Sequence, residues 1–147
     1  MHIRKVQPDD IPQLVTLCEL HAAYEKADFD PSGKAEKLSK AIFSSDPQVF
    51  CWVIVKDKVL YGYLSATHEF STWDADFFMH MDCLYLKPET RGKGFGYQLI
   101  LVLKAFARAK GCPLIQWQTP VDNESGIAFY EKLAAQWKAK RRYYLSV

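Results

Sequence analysis

The feature that most constrains the fold is a glycine-rich turn between an apolar run and a helix-like run, LKPETRGKGFGYQLI. Gly92, Gly94 and Gly96 fall within five residues, and Arg91 and Lys93 are interleaved with them. A helix N-terminus leaves backbone N–H groups unpaired and carries partial positive charge, so most helices cap it with Ser, Thr, Asp or Asn. This turn offers only glycines and basic residues there, which favours a site for an anion, above all for phosphate oxygens.

The two common nucleotide-binding loops fit this turn poorly. The Walker pattern requires Gly-Lys-Ser/Thr, whereas Lys93 is followed by Gly94, so no hydroxyl is placed for magnesium. The dinucleotide pattern GxGxxG fails because Tyr97 stands three residues after Gly94, and no βαβ unit precedes the turn.

The pattern along the chain predicts a single α/β domain over residues 1–147, a length that suits one core. β-branched and aromatic runs predict strands, and apolar residues at helical spacing predict about four helices. The predicted order is β-α-α-β-β-β-α-β-α-β, a central mixed sheet flanked by helices. Residues 77–86 are the central strand, 94–110 the helix after the turn, and 137–147 one or two final strands.

Composition excludes several classes of function. A net charge of +2 is too small to indicate a nucleic-acid or membrane partner. Four separated cysteines without a CxxC pair predict reduced, buried thiols and a cytoplasmic location. The histidines have no metal-ligand spacing, and no apolar run has the length of a signal core or a membrane span. We therefore expect no metal, no nucleic acid and no membrane partner.

Two motifs resemble the GNAT N-acetyltransferase superfamily. Arg91, Gly94 and Gly96 form Arg-x-x-Gly-x-Gly, which resembles that family's acetyl-CoA pyrophosphate loop and follows a strand, MDCLYL, as it does there. Further on, NESGIAFYEKL resembles the second motif, Asn-x-x-Ala-x-x-Phe-Tyr, with Gly126 where alanine is usual. LHAAYEKADFD and YYLSV more loosely resemble the spermidine/spermine branch with its diamine and thialysine relatives. The resemblance implies a GNAT-like fold over nearly the whole chain.

One departure concerns the end of the second motif. The family usually closes that helix with Leu-Gly-Phe, whereas this chain reads Leu133-Ala134-Ala135. The helix is therefore expected to end in another way, which leaves the arrangement of the last strands open.

The resemblance implies acetyl-CoA as co-substrate, with its pyrophosphate on the loop and its pantetheine arm along the preceding strand. Asn123 would contact the arm from the other side. The implied cofactor-binding residues are Leu84, Tyr85, Leu86, Arg91, Gly92, Lys93, Gly94, Phe95, Gly96, Asn123 and Tyr130. On the residues alone, the turn could be only a tight connection, and Asn123 could simply cap the following helix.

Acetylation of an amine needs a base for the ammonium and an acid for the leaving thiolate. Tyr130 matches the family's tyrosine near the sulfur, and a phenol is protonated at neutral pH; an amphipathic Tyr at a helix–sheet boundary is the alternative. Asp82 matches the catalytic glutamate of the diamine branch and, one methylene shorter, is expected to act through water; a structural salt bridge is the alternative. Cys83 is a conceivable nucleophile, but neighbouring strand residues face opposite sides, so direct attack is expected.

The predicted function is acetyl-CoA-dependent N-acetylation of a primary amine, first a small cationic one such as a polyamine, diamine or amino-acid-like amine. Acidic and aromatic residues suit a cation, and those predicted to bind the substrate are Tyr24, Glu25, Asp28, Trp73 and Asp82. Two solvated loops are the alternative reading of these residues. The alternative functions are acetylation of a protein or peptide amino group and a non-catalytic CoA-binding regulatory module. The resemblance also suggests a homodimer with the final strands as its contact.

Overall fold

A five-stranded mixed sheet forms the centre of the protein, and the computed structural model describes all of residues 1–147. Its strands are β1 (His2–Lys5), β2 (Phe50–Lys56), β3 (Val59–Ser71), β4 (Asp76–Leu86) and β5 (Ile115–Gln116), and they lie side by side in that order. The pairs from β1 to β4 are antiparallel, whereas β4 and β5 are parallel.

Four helices cover the two faces of the sheet: α1 (Ile11–Tyr24), α2 (Lys34–Phe43), α3 (Phe95–Ala109) and α4 (Glu124–Lys132). Leu14 and Leu17, one helical turn apart on α1, are buried in one core together with alternate residues of β2 and with Leu60 and Tyr63 of β3. Leu99 and Leu103 of α3 are buried in a second core on the opposite face. The predicted fold class is therefore confirmed. None of the helices has both the length and the apolar character needed to cross a membrane.

A bidentate ion pair sets the position of α1 on the sheet. The Arg4 guanidinium on β1 donates to both carboxylate oxygens of Asp10, at 2.6 and 3.0 Å. Asp10 is buried just before α1 and also accepts from the backbone N–H of Gln7 at 2.7 Å. These hydrogen bonds, the one from Arg4 first, lower the pKa of Asp10, so the carboxylate is ionised at neutral pH and holds the start of α1 against β1.

The predicted final strands are not formed. Residues 137–147 have no regular secondary structure and are exposed, and their exposed apolar side chains include Trp137 and Leu145. β5 pairs with β4 at only two positions and is the last strand at its edge of the sheet. The sequence prediction for this segment was therefore wrong for the isolated chain.

The end of α4 also differs from the expectation. Ala134 has φ 56°, the left-handed conformation that glycine favours. The N–H of Ala134 donates to the carbonyl of Glu131 at 3.0 Å, and that of Ala135 donates to the carbonyl of Tyr130 at 3.4 Å. This is the Schellman arrangement with alanine in the usual place of glycine. The helix therefore ends in the common way, and the expectation of another ending was wrong.

Candidate active site

The glycine turn presents a row of free backbone N–H groups. Gly94 is the N-cap of α3 with φ 82°, Gly92 has φ 71°, and no side chain caps the helix. The backbone N–H groups from Gly92 to Tyr97 donate to no protein acceptor; the first that does belongs to Gln98, which donates to the carbonyl of Gly94 at 3.1 Å. Six consecutive donors at a helix N-terminus can hold the oxygens of a phosphate group.

The glycine turn is held in place by Thr90, a residue that the sequence prediction did not include. Thr90 is fully buried, and its hydroxyl lies 2.6 Å from the Lys87 carbonyl and 3.3 Å from the Tyr61 carbonyl. Arg91 is exposed, and its Nε donates to the carbonyl of Leu86 at 2.9 Å. These bonds tie the turn to β3 and to the end of β4, so the free N–H groups are presented from a fixed base.

A β-bulge in β4 sets the direction of the central side chains. Ser65 on β3 pairs with Cys83, but the next residue, Ala66, pairs with Met81, so Asp82 is an extra residue. Before the bulge the odd-numbered Met79 and Met81 pack on the α3 face of the sheet. After the bulge the even-numbered Leu84 and Leu86 pack on the α3 face, while Cys83 and Tyr85 pack on the α1 face.

Asp82 and Cys83 therefore share the α1 face, and the expectation that they face opposite sides was wrong. The Cys83 thiol donates to the Asp82 carboxylate at 3.5 Å. Asp82 itself is exposed, so water reaches its carboxylate. Burial, followed by the charge of Asp82, raises the pKa of Cys83 to about 12. At neutral pH this residue is a thiol and a poor nucleophile.

The carboxyl-terminal half of β4 has an open edge. β5 pairs only with Met79 and His80, so from Met81 to Leu86 no strand lies beside β4 on that side. The unpaired stretch is about 17 Å long at a rise of about 3.3 Å per residue. We call the space beside it, facing the chain from Trp117 to Asn123 that follows β5, the cleft. Leu84, Tyr85 and Leu86 lie on this edge, and the glycine turn closes one end of it.

The end of α1 contributes His21, which the sequence prediction missed. Its Nδ1 lies 3.1 Å from the Tyr63 hydroxyl, its Nε2 lies 3.2 Å from Glu25 Oε1, and its ring stacks on Tyr85 at 5.3 Å between centroids. Burial lowers the pKa of His21, although Glu25 opposes this, so the imidazole is neutral at pH 7. Helical spacing between His21, Tyr24 and Glu25 is the signal that could have found it.

Tyr130 of α4 lies on the opposite wall of the cleft, with its ring 5.2 Å from that of Trp117. Burial raises its pKa to about 12, and Glu25, Cys83 and Tyr24 add to the effect. The hydroxyl is therefore within electrostatic range of groups on α1 and β4, and it is protonated at neutral pH.

Asn123 caps helix α4, which is one of the two interpretations that the sequence allowed. Its Oδ1 accepts from the N–H of Gly126 at 3.2 Å and from the Tyr24 hydroxyl at 2.8 Å. Its Nδ2 donates to the Thr119 hydroxyl at 2.8 Å. An amide nitrogen carries two protons, so one N–H of Asn123 is left for a ligand in the cleft.

The predicted substrate-binding residues do not all come together. Tyr24 and Glu25 line a cavity of about 180 Å³, together with Lys26, Pro120, Asp122 and Asn123. Asp28 is exposed beyond the end of α1. Trp73 is 95 % exposed in the turn between β3 and β4, and six residues of β4 separate that turn from Asp82, a distance of about 20 Å. No group of three or more His, Cys, Asp or Glu side chains is placed to hold a metal ion.

Solved structures of other proteins share this fold. A crystal structure of an aminoglycoside acetyltransferase from an uncultured soil sample superposes with a TM-score of 0.83 over 99 % of this chain and 96 % of that one, at 18 % identity. An aminoglycoside N-acetyltransferase in complex with CoA gives 0.77 over 99 % of both chains at 16 % identity. At these identities the likeness concerns the fold alone.

Sequence comparison is more specific. The chain is 30 % identical to a thialysine N-epsilon-acetyltransferase of Caenorhabditis elegans over 126 residues, which is 86 % of this chain and 77 % of that protein. It is 29 % identical to an acetyltransferase of Yersinia pestis over 133 residues, 90 % of this chain and 86 % of that one. The profile of the acetyltransferase (GNAT) family matches residues 14–135. The chain is therefore an N-acetyltransferase and belongs to the GNAT family.

Proposed function

We propose that this protein transfers the acetyl group of acetyl-CoA directly to the primary amine of a small cationic substrate. The observation that carries the proposal is the row of free N–H groups at one end of the open β4 edge, with Asp82 on the same strand and Tyr130 on α4. The family uses acetyl-CoA, which supplies a thioester carbonyl for attack by the amine.

The residues of the cleft fit this co-substrate. The N–H groups from Gly92 to Tyr97 would hold the pyrophosphate, and Arg91 and Lys93 add positive charge beside it. The edge formed by Leu84, Tyr85 and Leu86 offers backbone groups to the pantetheine arm, and Asn123 would donate its remaining N–H to that arm.

Asp82 is suited to remove a proton from the substrate. An alkyl ammonium of pKa about 10 is only about one part in a thousand neutral at pH 7, so a base is needed. The Asp82 carboxylate is exposed, and a water molecule hydrogen-bonded to it would relay the proton to solvent. The raised pKa of Cys83 argues against an acetyl-cysteine step, so direct attack is favoured for a reason other than the one the sequence suggested.

Tyr130 is suited to assist the departure of the thiolate. Its pKa of about 12 keeps the phenol protonated throughout the physiological range. Donation of this hydrogen bond to the sulfur would stabilise the charge that develops there.

A cationic acceptor is supported by the groups around the end of α1. Glu25 places a carboxylate at the cavity beside Tyr24, where Asp122 is already paired with Lys26 at 3.3 Å. The names of the relatives point to amines as well, thialysine in one case and aminoglycosides in the other. Asp28 and Trp73 do not line this cavity, so we assign them only to the region through which the substrate would approach.

The homodimer remains a proposal. Residues 137–147 carry exposed apolar side chains, and a second copy is a partner that could cover them. The cytoplasmic location remains a prediction from cysteine usage, consistent with four free cysteines.

A panel of amines tests the proposal, with acetyl-CoA present and thiol release as the readout. The panel contains lysine, its thioether analogue, spermidine, an aminoglycoside and a peptide with a free N-terminus. We expect turnover with one or more of the small cationic amines and none with the peptide. Turnover of the peptide alone would favour a protein N-acetyltransferase, and CoA binding without thiol release from any amine would favour a regulatory module.

A further inference from the structure

The end of α1 is joined to the start of α4 by one side chain, Tyr24. Its hydroxyl donates to Asn123 Oδ1 at 2.8 Å and lies 2.9 Å from the hydroxyl of Ser125. The partners are about a hundred residues away in sequence and lie on the far wall of the cleft. A second link, the ion pair between Lys26 and Asp122 at 3.3 Å, is exposed at both ends and adds little.

The ring of Tyr24 contacts the other side of the cleft. The Arg91 guanidinium lies 4.8 Å from the centre of the Tyr24 ring and 5.7 Å from that of Tyr85. Arg91 belongs to the glycine turn, and Asn123 offers the remaining N–H on the opposite wall. Tyr24 thus contacts both Arg91 and Asn123, the first through its ring and the second through its hydroxyl.

Gly126 makes this arrangement possible. A Cβ at Gly126 would lie 2.3 Å from Asn123 Nδ2 and 2.8 Å from its Cγ, so an alanine would displace the Asn123 side chain. A displaced Asn123 side chain would lose its hydrogen bonds with both the Gly126 N–H and the Tyr24 hydroxyl.

We propose that Tyr24 is a positioning residue for the co-substrate: it fixes Asn123 through its hydroxyl and supports Arg91 with its ring. This inference rests on the proposed function, and it goes beyond the role of Tyr24 in binding the amine. The Tyr24 hydroxyl and Gly126 act as one unit, since both are needed to hold the Asn123 amide with one N–H free for the pantetheine arm.

The test is a double-mutant cycle with Tyr24→Phe and Gly126→Ala. Tyr24→Phe keeps the ring beneath Arg91 and removes only the hydroxyl, so the Kd for CoA in calorimetry should rise about five- to tenfold, the effect of one hydrogen bond. Gly126→Ala should raise the Kd by a similar factor. The double variant should bind like either single variant, because the two changes remove the same interaction.

Two further readouts separate positioning from a loss of stability. Alanine favours a helix more than glycine does, which offsets the lost cap, so the Tm of Gly126→Ala should change little while its CoA affinity falls. In both variants the KM for acetyl-CoA should rise while kcat at saturation is retained, since the lost contact serves binding. Tyr144→Phe is the matched control, because Tyr144 is 93 % exposed.

Three results would overturn the inference: a wild-type Kd in Tyr24→Phe, additive effects in the double variant, or a rise confined to the KM for the amine. The last result would mean that Tyr24 binds the amine and does not position the co-substrate. If the wild-type protein itself failed to bind CoA, the proposed function would fail, and calorimetry on the unmodified chain distinguishes that case.

Discussion

The Cys83 thiol donates a hydrogen bond to the Asp82 carboxylate over 3.5 Å, although the two residues are neighbours in β4. In a regular strand their side chains would point to opposite faces. The bulge at Asp82 brings both onto the α1 face, where the carboxylate is exposed to solvent and the thiol is half-buried. The chemistry expected of each residue follows from this difference, since Asp82 can exchange protons with water and Cys83 cannot readily ionise.

Asp82→Asn should lower kcat/KM most near pH 7, by about 10²-fold, because there the amine depends on a base. Near pH 10 much of the amine is already neutral, so the loss should shrink. The measurement is a pH–rate profile of the variant against the wild type. Asp76→Asn is the matched control, since Asp76 is also exposed and begins the same strand. A loss of equal size at every pH would assign Asp82 to structure or to substrate binding.

The glycine turn allows a comparison between two positions of similar geometry. Gly94 has φ 82° and Gly111 has φ 72°, and a Cβ at either would meet no atom within 4 Å. Alanine at each should therefore cost a similar free energy of unfolding, about 1–2 kcal/mol, for the left-handed backbone. Only Gly94→Ala should also weaken CoA binding, by about tenfold or more, because relaxation of the turn redirects its N–H groups.

Thermal unfolding and calorimetry on the two alanine variants give the answer. Gly111 lies just beyond the far end of α3 and serves as the control for the backbone effect alone. Equal CoA affinity in the two variants, with both folded, would mean that the turn is only a connection between β4 and α3.

The parts of the fold that the sequence predicted well depend on local patterns. Strand and helix periodicity gave the order of the elements, and the run from Arg91 to Gly96 indicated an anion site that the structure presents as a row of free N–H groups. These features involve residues close together in the chain, so their spacing alone carries the signal.

The features that were missed depend on pairing between distant residues. The bulge at Asp82 is defined by its register with Ser65 and Ala66, and nothing in the sequence of β4 reveals it. The contact between Tyr24 and Asn123 spans 99 residues. The pattern of residues 137–147 predicted strands, but a strand also needs a partner, and no strand of the sheet pairs with this segment.

Ala134 offers a stabilising substitution. A φ of 56° destabilises the folded protein by about 1–2 kcal/mol when the residue is alanine. Glycine would remove this strain, but its greater freedom in the unfolded chain offsets part of the gain. Ala134→Gly should therefore raise the free energy of unfolding by about 1 kcal/mol and Tm by about 3 °C. Ala135→Gly is the control and should not stabilise, because Ala135 has no positive φ. A lower Tm for Ala134→Gly would contradict the left-handed cap.

Tyr130→Phe tests the last group of the proposed mechanism. The substitution keeps the ring against Trp117, so packing and CoA affinity should change little. Loss of the hydroxyl should lower kcat and kcat/KM together by about 10²-fold, since the hydrogen bond forms only as charge develops on sulfur. Because the pKa of Tyr130 is about 12, the phenol remains protonated well above neutral pH. The loss should therefore be the same from about pH 6 to about pH 10, unlike that of Asp82→Asn.

Single-turnover kinetics are the proper measurement, because slow product release would hide a change in the chemical step from steady-state rates. Tyr143→Phe serves as the control, since Tyr143 is 83 % exposed and lies outside the cleft. A folded Tyr130→Phe protein with the wild-type single-turnover rate would remove Tyr130 from the mechanism. The proton for the thiolate would then have to come from water, which the open edge of β4 and the exposed Asp82 admit to the cleft.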